Sequence, residues 1–246
     1  MSNAQRRTGD EVEIPGDYQY RAINEASGPQ RFWHWAKYHT AEVLLKPEEN
    51  NKIFDVGCGS GVFANQLAEN YRADVTGVDG NIDAITFAQN QFQRDNLNFQ
   101  NGLVDELGFE KESIDRITFL EVIEHIHYQQ GIHVLEQFRD LLVPGGRLVL
   151  STPNYRSAWP FIEWTLDTLK LVPQLAEDQH VAFYHCSKLR KTGESAGLKF
   201  EDYRTINMVA PWSTVLSWKL GKLLHGAETK FRQPLGSIIV MSFIKA

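Results

Sequence analysis

Short apolar runs alternate with amphipathic stretches along most of the chain. Lys52–Val56, Asp74–Val78, Leu97–Gln100, Ile114–Leu120 and Gly146–Ser151 read as strands, each four to seven residues long. Between them Val62–Asn70, Ile82–Arg94 and Gly131–Leu142 carry apolar residues at helical spacing. Ahead of the first strand, Phe32, Trp35, Val43 and Leu44 mark an amphipathic helix over Arg31–Leu45, stopped near Pro47. Alternation this regular predicts a parallel sheet with helices on both faces.

The second half of the chain changes rhythm. Ser187–Ala196 reads as a helix ended by Gly197, Lys199–Ile206 as a strand, and Gly236–Ile244 as a last strand. Two aromatic-rich insertions interrupt the pattern, near 157–177 and 210–232, and together hold four of the six tryptophans. Residues 1–27 are polar, with Gly9, Pro15 and Gly16, and read as a flexible arm before a single domain spanning 28–246.

Composition narrows the class. At 246 residues with 42% hydrophobic content, the chain has material for one sizeable core. Its net charge of −6 supplies no general basic field and argues against a nucleic-acid substrate. Cys58 and Cys186 offer neither a disulfide framework nor zinc spacing, which fits a reducing cytoplasm. No apolar run approaches the ~20 residues of a spanning helix.

Chemistry concentrates after the first strand. Gly57-x-Gly59-x-Gly61 is a glycine turn between strand and helix, and Asp79 stands eighteen residues after Gly61, at the tip of the second strand. Glycines there let the backbone turn sharply and approach a ligand closely. The spacing differs from the G-x-G-x-x-G of dinucleotide binders, and no Gly-Lys-Ser/Thr follows. An adenosyl ligand without a pyrophosphate suits the turn, with Asp79 placed for a ribose diol.

Asp55-Val56-Gly57-Cys58-Gly59-Ser60-Gly61 resembles the first motif of class I S-adenosylmethionine-dependent methyltransferases. Thr76-Gly77-Val78-Asp79, Phe119-Leu120-Glu121-Val122-Ile123-Glu124-His125-Ile126 and the Val143–Asn154 segment match later motifs in order, so the likeness spans roughly residues 40–206. It implies a doubly wound, mostly parallel seven-stranded Rossmann-like sheet, closed by an antiparallel last strand and capped by the helical insertions. It implies S-adenosylmethionine as cofactor and S-adenosylhomocysteine as product. Gly57, Cys58, Gly59 and Gly61 would pass under the methionine part, Asp55 would orient that glycine loop or the cofactor amine, and Asp79, flanked by Gly80 and Asn81, would take the ribose. The Leu120 carbonyl would face the amine. Many relatives hold adenine with an acid where this chain has Leu103, so adenine falls to Val104 backbone groups and apolar packing, or to Asp105 by a register shift.

Glu121, Glu124 and His125 stand at i, i+3 and i+4, which a helix following the fourth strand would bring to one face. With His180 they are candidate catalytic residues and candidate ligands for a divalent cation such as Mg2+. The competing reading is a satisfied structural network that binds no metal. The Glu121–His125 string is similar to that of ubiquinone-biosynthesis O-methyltransferases and also to the metal motif of terminal RNA 2′-O-methyltransferases. The Ser151–Asn154 segment with its aromatic insertion favours the former. The expected function is therefore methyl transfer to a small apolar or aromatic acceptor, at oxygen. RNA 2′-O-methylation and a non-catalytic cofactor-binding module stand as alternatives. An amphipathic cap also suggests peripheral membrane contact.

Overall fold

The computed structural model describes residues 15–103, 108, 110–157, 180–230 and 234–246. The chain opens with α1 (Tyr18–Asn24) and α2 (Gly28–Leu45), followed by β1 (Lys52–Val56), α3 (Val62–Tyr71), β2 (Asp74–Asp79), α4 (Ile82–Gln91) and β3 (Leu97–Asn101). Then come β4 (Ile114–Leu120), a 3-10 turn at Ile123–His125, α5 (Tyr128–Leu141) and β5 (Leu142–Pro153). The closing elements are α6 (Cys186–Ser195), β6 (Lys199–Ile206), α7 (Ala210–Ser213), α8 (Trp218–Lys230) and β7 (Ile238–Ile244).

The strands form one sheet in the order β3-β2-β1-β4-β5-β7-β6. The first five are parallel, and β7 inserts antiparallel between β5 and β6. Alternate residues feed two cores, as the two-residue period of a strand requires. Ile53, Val149, Ile238 and Val240 face α2, α3 and α4, whereas Phe54, Leu148, Leu150, Ile239 and Met241 face α5 and α6. Winding outward from β1 to β3 and then crossing to β4 leaves a crevice between the carboxyl ends of β1 and β4, where open α/β sheets bind ligands.

Two features set α2 over that crevice. Pro29 lies in its first turn and Lys46, in the left-handed region, closes it before Pro47. Arg147 then grips its end: Nη1 donates to the Leu45 carbonyl at 3.2 Å, while Nε and Nη2 form a fork on Glu201 at 2.8 and 2.7 Å. The arm expected over 1–27 contains a helix, α1, in its described part. Its seven residues are too few for helix propensity alone. Tertiary contacts hold it: the Tyr20 amide donates to Ser60 Oγ at 3.0 Å, and the Tyr20 ring packs edge-on against Phe87 at 5.3 Å. The 157–177 insertion lies almost wholly outside the described residues, and Val104 and Asp105 lie outside them too. The later insertion is α7 and α8, packed on α2 through Phe32, Trp35 and Trp218.

Candidate active site

The glycine turn is pinned from both sides. Gly57 and Cys58 donate their amides to the Val78 carbonyl at 2.8 and 3.0 Å, and the Gly61 amide returns to the Cys58 carbonyl at 3.0 Å. Gly57, Gly59 and Gly61 all sit at positive φ, between 49° and 74°. A side chain would also have no room: a Cβ on Gly57 would strike Val122, one on Gly59 would strike Gln19, and one on Gly61 would lie 2.6 Å from Phe99. Gln19 of α1 reaches the turn and accepts the Ser60 amide at 3.1 Å.

Asp79 joins the turn to the second strand. One carboxylate oxygen accepts the Gly59 amide and the other the Asn81 amide, each at 2.8 Å. Burial pushes its carboxyl above the usual range, and those two donors pull it back. Each oxygen keeps a further lone pair for a hydroxyl donor. Asn81 spends its side-chain oxygen capping α4, accepting from Asp83 and Ala84. Leu103 stands beside Gly80, 3.7 Å from where a Cβ would be, and forms an apolar wall. Asp55 is buried and takes the Thr118 hydroxyl at 2.6 Å; burial drives its carboxyl up to about 7.

Beyond Leu120, at the tip of β4, the structure departs from the single helical face expected for Glu121, Glu124 and His125. Glu121 has φ 59°, a left-handed conformation that costs a non-glycine residue energy, and only Ile123–His125 form a 3-10 turn. The turn splits the two glutamates. Glu121 points to α2, where Lys37 Nζ donates to its Oε2 at 3.1 Å. Lys37 is only 5% exposed, a buried cation at the mouth of the crevice. Glu124 points the other way and is buried; desolvation first, then the charge of Glu121, raises its carboxyl to about 8.

His180 reaches this group across the sheet ends. The amides of Val181 and Ala182 donate to the Glu124 carbonyl at 2.9 and 3.1 Å, which sets His180 beside His125 with ring centres 5.0 Å apart. The Tyr155 hydroxyl lies 2.8 Å from His180 Nδ1. One ligand atom each from Glu124, His125 and His180 lie within 4.8 Å of one another, whereas Glu121 is not part of that trio. Glu121 Oε1 and Ser151 Oγ are buried with no hydrogen-bond partner among the described residues, while the Thr152 hydroxyl supports the Glu124 carboxylate. Unpartnered buried polar atoms at the strand tips mark where a ligand or water completes the hydrogen bonding.

Sequence reading missed Gln19, Lys37 and Tyr155. Lys37 had a signal: with Trp33, Ala41 and Leu44 at −4, +4 and +7, a lysine occupies the apolar stripe of α2. Gln19 and Tyr155 had none, because their roles arise from contacts with residues 41 and 25 positions away.

A seven-stranded sheet with a reversed last strand, a glycine turn after β1 and an acid at the tip of β2 define a nucleoside-binding α/β enzyme. The chain belongs to the class I S-adenosylmethionine-dependent methyltransferases: the model of the methyltransferase domain family matches residues 30–202. It is 31% identical over 175 residues to a ubiquinone biosynthesis O-methyltransferase of Coxiella burnetii, covering 70% of this chain and 72% of that protein. A protein of the same description from Acinetobacter baylyi is 31% identical over 193 residues, 75% of each chain. Among solved structures, an S-adenosylmethionine-dependent methyltransferase from Mesorhizobium loti aligns with a TM-score of 0.62 at 16% identity, covering 85% of this chain and 97% of that one. That likeness concerns the fold.

Proposed function

We propose that this enzyme methylates an oxygen of a small apolar or aromatic acceptor, and that the cluster Glu124–His125–His180–Tyr155 handles the acceptor's proton. S-adenosylmethionine, when bound, supplies an activated methyl group. The residues present fit it: Asp79 suits the ribose hydroxyls, the glycine turn a close backbone approach, Leu103 an apolar ring face, and Lys37 a carboxylate. Cys58, Gly80, Asn81 and the Leu120 carbonyl complete the proposed cofactor set, and Asp55 supports it from below through Thr118.

What an oxygen acceptor needs from the protein is alignment and proton removal. The observation that carries the reading is the 2.8 Å contact between Tyr155 and His180 Nδ1, next to a buried Glu124. With Nδ1–H donating to the Tyr155 oxygen, the other imidazole nitrogen carries no proton and can take one from an acceptor hydroxyl. The relatives described as ubiquinone biosynthesis O-methyltransferases support oxygen as the acceptor atom. His180→Ala should lower turnover about 100-fold or more while leaving donor affinity within a factor of two or so. Equal turnover would remove the role.

A second reading has its own observation. The close approach of Glu124, His125 and His180 suits a divalent cation such as Mg2+, which would hold the acceptor oxygen instead. Activity unchanged after exhaustive chelation decides against the ion. The RNA-directed alternative gains nothing from the charge balance of −6.

A further inference from the structure

We propose that the segment from Met208 to Lys230 is a docking surface for an anionic phospholipid bilayer; this rests on the apolar-acceptor reading above, because it brings the crevice mouth to the lipid phase. No helix among the described residues is long and apolar enough to cross a membrane, so the contact is interfacial.

The segment keeps large apolar side chains in water. Val215 and Leu216, in the turn between α7 and α8, are 76% and 81% exposed, and Leu223 is 70% exposed. Met208, Val209 and Trp212 continue the patch. Scattered exposed apolar residues are ordinary, but six within sixteen positions are not. They are also held there. The buried Glu228 carboxylate accepts the amides of Val209 at 2.8 Å, Ala210 at 2.9 Å and Met208 at 3.4 Å, clamping the start of the segment to α8. Gly221 lets α8 close onto α2: a Cβ there would lie 2.7 Å from Thr214 and 2.9 Å from Phe32. A loose tip would fold its apolar residues inward; this one is braced outward.

Charge selects the occupant. Within 208–230 the acid is Glu228, which is buried, while Lys219, Lys222 and Lys230 are exposed. Arg31 of α2 joins them, 5.6 Å above the Trp218 ring. An apolar tip followed by a helix that carries exposed lysines suits an anionic bilayer. A chain of net charge −6 would be turned by the same field so that this face leads. A second copy of the chain is disfavoured, because a two-fold contact would set like lysines against each other. The segment follows β6 at the carboxyl end of the parallel strands, so docking here turns the crevice toward the membrane.

The test is vesicle co-sedimentation of the full chain with phosphatidylcholine alone and with added phosphatidylglycerol, run beside donor calorimetry and a turnover assay on a water-soluble phenol. We expect partitioning to the anionic vesicles, weakened by salt. Val215→Glu with Leu216→Glu should abolish it, and each of Lys219→Gln and Lys222→Gln should weaken it about fivefold. Donor affinity should stay unchanged in all three variants. No binding to anionic vesicles by a chain that still binds donor and turns over overturns the surface and leaves the methyltransferase reading intact. So does concentration-dependent dimerisation that V215E/L216E abolishes without vesicle binding. Vesicle binding with no O-methylation of any phenol or quinol overturns the acceptor reading instead.

Discussion

The two halves of the crevice are built on opposite principles. On the β1–β2 side the groups of the turn are partnered: the Gly57 and Cys58 amides go to Val78, Asp79 takes two amides, and Asp55 takes Thr118. On the β4–β5 side Glu121 sits in a left-handed conformation, Lys37 is buried, and Glu121 Oε1 and Ser151 Oγ lack partners among the described residues. A satisfied network rigidifies what it touches, whereas an unsatisfied one costs stability until something completes it. In the proposed reading the first half is a preformed seat for the cofactor common to the family. In the same reading the second half sets its unpaired groups beside the proposed acceptor position.

The largest expected effect breaks the seat. Asp79→Asn should weaken donor binding about 100-fold by calorimetry, since hydrogen bonds to a charged acceptor contribute roughly 1.5–3 kcal/mol each. It should leave the His125–His180 arrangement in place. Donor affinity within a factor of about three of the parent would mean the ribose lies elsewhere. Next comes Tyr155→Phe, which removes the contact to His180 without removing the ring. Turnover should fall about tenfold with donor affinity unchanged, and the pH profile of turnover should shift, which loss of packing alone would not produce.

Lys37 sharpens the contrast through stability. Lys37→Met leaves Glu121 beside the raised Glu124 without its cation. Removing one partner of a buried pair costs about 3–5 kcal/mol, and the 27% exposure of the Glu121 side chain reduces this to about 2. Urea unfolding of K37M and of K37M/E121L separates the effects: the double variant should recover most of the loss. Equal destabilisation in both would show that the lysine acts through packing instead.

The same division explains what could be read from the sequence. The strands announced themselves because Ile53 and Phe54, or Val149 and Leu150, feed opposite cores at a two-residue period. The glycine turn and Asp79 are local, within 22 residues of Val78 or each other, so their geometry follows from spacing. Glu121 is different. Its positive φ answers to Val122 wedging beside Gly57 and to Lys37 on a distant helix, and no periodicity encodes that. His180 reaches the site through the Glu124 carbonyl, 57 and 58 positions from its donors. Tertiary closure fixes the reactive half.

The smallest effect is a slope, and its sign can be worked out. Burial raises Glu124 from 4.5 to about 8, so the folded protein keeps a proton that the unfolded chain releases. Stability therefore declines as pH rises from about 4.5 to about 8. Asp55, raised to about 7, adds the same trend at lower pH. His34 and His225 oppose it: burial lowers them to about 3 and 4, so they cost stability only as pH falls below their ordinary 6.5. Between pH 7 and 8 those histidines are mostly neutral in both states, and Asp55, half ionised near 7, adds a share that fades toward 8, so Glu124 carries the larger part of the slope. The parent's unfolding free energy should fall across that interval; Glu124→Gln should remove the larger part of the fall, exceed the parent in stability near neutrality, and match it only below about pH 4.5, where the acid is protonated in both states. A parent that is level from pH 7 to 8 would mean Glu124 is already ionised in the fold, with a cation in the trio as the natural reason.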